Sequence, residues 1–159
     1  TRKLPLPDNP EAGFGAIAED GSKVILDRAV ARVPDEEIEK VMERQREEIK
    51  NRIKELRREP LPSIKGEKVI LVDDGIAMGS TMRASIKLCK NKGTKKIVVA
   101  VPVSSEEVAE EIGEMVDEII VLEKPEVFRA VAQVYREWHD VSNEEVLEIM
   151  EKWDKVKNR

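Results

Sequence analysis

The sequence predicts an α/β fold built on a parallel, Rossmann-like sheet, and three observations predict it. Val69–Val72 and Ile97–Val103 are short, continuous apolar runs rich in β-branched residues, the pattern of parallel strands covered on both faces. Helical patterns over Met82–Lys92 and Glu106–Met115 follow these runs, and a third strand pattern spans Asp117–Leu122. Strand–helix–strand–helix–strand with short connections implies right-handed βαβ units. A β-hairpin and a long helical arm are expected ahead of this core.

The bulk properties bound the rest. A chain of 159 residues buries one core, so 1–159 reads as a single domain, with 11–60 as a hairpin-plus-helix insertion. Charged residues make up 38% and aromatic residues 3%, with 28 Lys+Arg against 33 Asp+Glu. Such a surface fits a thermophile's ion-pair networks. A net charge of −5 argues against general nucleic-acid binding. One cysteine excludes an internal disulfide and a Cys-based zinc site. No run suits a membrane span or a signal peptide, so the expected location is the cytoplasm, with no membrane partner.

Taken in order, Arg2 to Pro10 reads as irregular and turn-rich, because Pro5, Pro7, Asp8, Asn9 and Pro10 interrupt it. Gly13–Asp27 reads as a hairpin: apolar Phe14–Ala18 and Val24–Leu26 flank an Asp20-Gly21 turn. Pro34–Arg58 is the clearest helix, with acids at its start and Arg57-Arg58 at its end. Its apolar stripe (Ile38, Val41, Met42, Ile49, Ile53, Leu56) is narrow, which suits a strut or a dimer arm. Its charge runs read as a solvated face with i,i+4 pairs. Gly93 stops the helix after Val69–Thr81, and Cys89 reads as a packed small hydrophobe. Ser104 or Ser105 caps the next helix. Glu126–Trp138 and Asn143–Trp153 read as two closing helices. Phe128, Tyr135 and the tryptophans read as core or dimer contacts or, alternatively, as a stack on a base. His139 reads as a loop or helix-end residue.

Chemistry concentrates in Val69-Ile-Leu-Val-Asp-Asp-Gly-Ile-Ala-Met-Gly-Ser-Thr81. Asp73 and Asp74 follow the strand at its carboxyl end, where open α/β sheets bind ligands. Gly75, Ala77, Gly79, Ser80 and Thr81 let backbone N–H groups approach an anion ahead of a helix amino end. An N-cap turn at Ser80 or Thr81 would account for one acid, but not readily for two. Carboxylates for hydroxyls beside an anion site suit a sugar phosphate. Neither a P-loop nor a G-x-G-x-x-G spacing is present.

These residues resemble the phosphoribosyl pyrophosphate (PRPP) signature of the type I phosphoribosyltransferases. Met78 departs from the family's usual Thr and removes one hydroxyl contact to the 5′-phosphate. The resemblance implies a phosphoribosyltransferase core that transfers the 5-phosphoribosyl group from PRPP to a nitrogenous base, releasing pyrophosphate. Asp73 and Asp74 would hold the ribose hydroxyls, and Gly75, Ile76, Ala77, Met78, Gly79, Ser80 and Thr81 the 5′-phosphate. Arg2 and Lys3 resemble the family's basic pair and would meet the pyrophosphate. Mg²⁺ would come with PRPP, near Asp73 and Asp74, without a protein-only cage. The expected assembly is a homodimer or higher homo-oligomer. The chain opens at Thr1 in mid-motif, without a counterpart of the family's N-terminal strand and pyrophosphate loop, so a fragment is expected. The alternative is a non-catalytic PRPP- or nucleotide-binding regulator or assembly protein.

Overall fold

The computed structural model describes residues 1–31 and 33–157. Two sheets organise it. Strands β1 (Arg2–Leu6), β2 (Asn9–Ile17) and β3 (Lys23–Ile25) form an antiparallel sheet in that order. Strands β4 (Lys68–Val72), β5 (Lys96–Val103) and β6 (Glu118–Glu123) form a parallel sheet, also in that order. Five α-helices are described: α1 (Asp27–Val30), α2 (Asp35–Arg52), α3 (Ser80–Asn91), α4 (Glu106–Gly113) and α5 (Asn143–Lys157). The β4–α3–β5–α4–β6 run is the expected Rossmann-like core.

Each sheet has its own core, and α3 touches both. On the parallel sheet, Val99, Val101 and Ile97 pack with Met82, Ile86 and Cys89 of α3 and Ile112 of α4. Fully burying such a side chain contributes about 1.5–3 kcal/mol. On the antiparallel sheet, Leu4, Phe14 and Ile17 pack with Val41, Met42 and Ile49 of α2. Helix α3 also meets β2 and β3. There the Asn91 side-chain amide donates to Ser22 Oγ at 2.9 Å, and Lys87 Nζ donates to the Lys23 carbonyl at 3.4 Å. One helix therefore fixes the small sheet's position relative to the large one.

Three expectations change. Arg2–Leu6 is a strand, not irregular chain: Leu4 is wholly buried, and Arg2, Lys3 and Leu4 pair with Ile17, Ala16 and Gly15. The register slips on both sides of Pro5, which has no N–H to give to a ladder. Second, β4 lies at the edge of the described sheet and β5 lies at its centre. Val69 and Leu71 pack into the core, whereas Ile70 and Val72 are exposed, as are Ile120 and Leu122 of β6 on the same face. Third, the helix expected over Glu126–Trp138 is absent; this stretch is irregular apart from a 3₁₀ turn at Val131–Val134. Local polar bonds take the place of helical ones. Gln133 Nε2 donates to the Val127 carbonyl at 2.7 Å, and its Oε1 accepts from the Arg129 N–H at 3.2 Å.

The long helix is close to expectation. After α2 the chain makes a π turn, Ile53–Arg57, and stops at Arg58, which is left-handed at φ 64°. Lys40 pairs with Glu36 and Glu37, and Arg46 pairs with Glu43, on the solvent side. Arg57 reaches Glu19 at the end of the hairpin at 3.1 Å. That hairpin turns at Gly21, with the Ala18 N–H donating to the Ser22 carbonyl at 2.8 Å.

Gly15 is set by the β2–β3 pairing. A Cβ there would lie 2.2 Å from the Val24 carbonyl oxygen, a backbone atom that cannot swing aside. Gly15→Ala is expected to cost about 1–3 kcal/mol by overpacking, read as a lowered melting temperature. An unchanged melt would show that the two strands spread apart freely.

Candidate functional site

The site begins where β4 ends. The Ile76 N–H donates to the Val103 carbonyl at 2.9 Å, and Ile76 forms a parallel bridge with Ser104. The loop after β4 is thereby stitched to the end of β5. Gly75 makes the close pass possible, because a Cβ would lie 2.7 Å from Val103 Cγ1 and 2.8 Å from Val131 Cγ1. Gly79 then takes the left-handed conformation, φ 75°, and α3 starts at Ser80. The amino end of this 12-residue helix carries roughly half a positive charge and opens N–H donors to an anion.

Around this turn is a cavity of about 340 Å³, lined by every residue from Asp73 to Thr81 together with Lys3, Gly13, Val131 and Trp138. Its size falls at the lower end of small-molecule sites. A second, adjoining cavity of about 520 Å³ shares Lys3, Asp73 and Thr81, and adds Arg2 and Gln45. The residues singled out in the central motif thus share one cavity, and the basic pair meets Asp73 and Thr81 in the next.

Neither Asp73 nor Asp74 is in an ion pair among the described residues. The Asp74 N–H donates to Asp73 Oδ1 at 3.1 Å. Desolvation against the cleft wall, followed by the adjacent Asp74 charge, pushes the Asp73 carboxyl above the ordinary aspartate range, although the residue as a whole is exposed to solvent. Two carboxylates held side by side without a cation are a standing electrostatic cost. A ligand that donates hydrogen bonds or carries a hard cation relieves it.

Other positions are more specific than expected. The Ile76 amide, counted among the phosphate donors, is engaged by Val103 and its side chain is buried. Met78 is 57% exposed and lines the cavity mouth. Arg2 and Lys3 diverge, since successive strand residues face opposite ways. Lys3 lines the cavity of the acids and lays its stem across Gly13, where a Cβ would meet Lys3 Cγ at 2.8 Å. Arg2 faces α2 and donates from Nε to Gln45 Oε1 at 3.3 Å. Ser105 caps α4, accepting from the Val108 N–H at 3.3 Å, while the buried Ser104 Oγ has no partner among the described residues. His139 pairs with exposed Glu145. Cys89 is buried, and burial pushes its thiol up, away from reactivity.

Helical periodicity concealed one wall of the site. The chain after β6 folds back over the loop, and Tyr135 Oη donates to the Asp74 carbonyl at 2.7 Å. Tyr135 packs edge-to-face on Trp138, ring centres 5.1 Å apart. Gly13 and Val131 were not readable as site residues, because each acts through a shape made far along the chain, and Tyr135, whose alternative reading was a stack on a base, reaches the loop through a backbone contact instead. Among the described residues no group of three or more His, Cys, Asp or Glu is placed to hold a metal, and no helix is long and apolar enough to cross a membrane.

This geometry can be set beside known proteins. Two curated relatives from Mycobacterium tuberculosis strains, named "Putative phosphoribosyl transferase Rv0571c" and "Putative phosphoribosyl transferase MT0597", are each 34% identical over 155 residues. The match takes in 95% of this chain and 35% of each relative. The chain therefore spans about a third of the length of the curated relatives it matches. The crystal structure of TT1426 from Thermus thermophilus matches with a TM-score of 0.69 and 35% identity, over 96% of this chain and 73% of that one. The model of the phosphoribosyl transferase domain matches residues 21–137, which include β4, the paired acids and the start of α3. The chain belongs to the phosphoribosyl transferase domain family.

Proposed function

We propose that the chain transfers the 5-phosphoribosyl group of PRPP to a nitrogenous base and releases pyrophosphate. The observation that carries this reading is the shared cavity: two carboxylates without an ion pair among the described residues, beside the open amino end of α3. Ribose 2′- and 3′-hydroxyls donate to Asp73 and Asp74. The amides from Ala77 to Thr81 and the Ser80 and Thr81 hydroxyls take the 5′-phosphate. Met78 offers only its backbone. Lys3, at the same cavity, and Arg2, in the adjoining one, face the diphosphate.

The chemistry asks little covalent work of the protein. Transfer at C1′ develops an oxocarbenium-like ribose, as in glycoside transfer. Fixing the ring by its diol, neutralising the leaving group and keeping negative charge near the sugar lower the barrier. Asp73 and Asp74 hold the ring and supply that charge, and Lys3 and Arg2 stabilise the departing pyrophosphate. Oxygen-only donors free of ion pairs suit Mg²⁺, a hard cation that keeps several waters and binds through one or two carboxylates plus substrate phosphates. When bound, it would neutralise diphosphate charge. The acceptor base enters beside Val131 and Trp138, which line the cavity together with the loop. Pyrophosphate release from PRPP with purines, pyrimidines and nicotinate-like acids tests the assignment. PRPP binding without turnover on any of them would favour a regulator.

Two outcomes follow from the acids. Asp73→Asn with Asp74→Asn is expected to weaken PRPP at least about tenfold, since each charge-assisted hydrogen bond is worth about 1.5–3 kcal/mol. The fold should survive, and titration calorimetry showing unchanged affinity would refute the role. The second outcome concerns pH. Asp73 binds its proton more tightly in the folded chain than in the unfolded one, so its contribution is intact below the ordinary value of 3.8 and is lost as pH rises through the raised value. Asp73→Asn alone should therefore melt above the parent protein at neutral pH, with the gap narrowing as pH falls toward that range. A gap of opposite sign, or one independent of pH, would count against the desolvated carboxylate.

A further inference from the structure

Helix α2 carries one polar side chain where its pattern calls for an apolar one. Val41, Met42 and Ile49 face the small sheet and are buried, and Gln45, a turn from each end of that group, is buried with them at 7% exposure. Its Oε1 accepts from Arg2 Nε at 3.3 Å. The bond engages Nε and leaves the two terminal nitrogens of the guanidinium outside it. Arg2 and Gln45 both line the 520 Å³ cavity that Asp73 and Thr81 also line.

We propose that Gln45 is a positioning residue that holds the Arg2 guanidinium toward the diphosphate end of the site. An arginine near a strand end has several rotatable bonds, and ordering it on binding costs side-chain entropy. A buried acceptor on a rigid helix fixes the side chain beforehand, so less of that cost falls on the ligand. A packing role alone would be met better by leucine or methionine, because a buried amide costs stability unless it is hydrogen-bonded. The long helix, which has no part in the phosphate loop, then has a stake in ligand affinity. This inference rests on Arg2 meeting the diphosphate.

The test uses the full chain and inorganic pyrophosphate with Mg²⁺ as probe, measured by calorimetry, with melting temperature read in parallel. Gln45→Met keeps the volume and removes the acceptor. It is expected to lose about tenfold in affinity with the fold retained. Gln45→Glu restores an acceptor of the same length and should stay within about twofold of the parent. On an Arg2→Ala background, Gln45→Met should add less than about twofold, since the two act as one unit. Full affinity in Gln45→Met, beside a loss in Arg2→Ala, would reduce Gln45 to packing and overturn the inference while leaving the proposed function standing. Full affinity in Arg2→Ala would overturn the role of Arg2 and the inference with it. If Gln45→Met failed to fold, a Gln45→Glu variant as weak as Arg2→Ala would overturn the inference equally.

Discussion

The hydrogen bond from the Ile76 N–H to the Val103 carbonyl is the constraint from which the site follows. It accompanies an isolated parallel bridge from Ile76 to Ser104, four residues past the end of β4, and ties the loop to the end of β5. With Ile76 pinned, its side chain buried and Gly75 passing between Val103 and Val131, the two acids before it have only the space beyond the sheet edge. Three residues later, Gly79 reverses the backbone and α3 begins. Carboxylates and helix amino end face one cavity because a single backbone bond fixes the length of loop between them. The contacts that cover the loop, Val131 against Gly75 and Tyr135 on the Asp74 carbonyl, keep that arrangement from the other side.

What the sequence made legible was what depends on neighbours along the chain. Short apolar runs gave the three parallel strands, Asp20-Gly21 the hairpin, and Gly93 the end of α3, each within a residue or two. The density of Asp73–Thr81 picked out residues that line one cavity. Periodicity could not say what lies over a face. Val69–Val72 reads as buried on both sides because all four residues are apolar, yet Ile70 and Val72 are exposed. It also misread Arg2–Leu6, where prolines suggested irregular chain but Leu4 earns a strand by burial against Phe14 and Met42. The stretch 126–138 has helical spacing, but Gln133 satisfies the backbone locally and Tyr135 ties the segment to the loop 61 residues earlier.

The divergence of Arg2 and Lys3 shows the same limit at the site itself. Adjacent basic residues read as a pair aimed at one anion. Once they lie on a strand, alternation sends them to opposite faces, and each needs its own support: Gly13 makes room for the Lys3 stem, and Gln45 receives Arg2. A signal for Gln45 was present in the stripe along α2, as a gap between Val41–Met42 and Ile49 filled by a polar residue. The gap acquires meaning only when β1 is recognised as the strand lying against it.

The positions that break local rules are therefore the informative ones. A folded chain minimises its conflicts, so those that persist tend to coincide with function. Asp73 and Asp74 place like charges side by side in a partly desolvated cleft, and Gln45 puts an amide in an apolar seam. Neither arrangement is what packing alone would select: an asparagine at 73 would carry no like charge, and a leucine at 45 would bury no amide. On the proposed reading a diol or a cation would relieve the first conflict, and the Arg2 guanidinium, which donates to Gln45 Oε1, relieves the second. Both line adjoining cavities that share Asp73, and it is this convergence, more than either conflict alone, that supports the reading of a binding site over an ordinary βα turn.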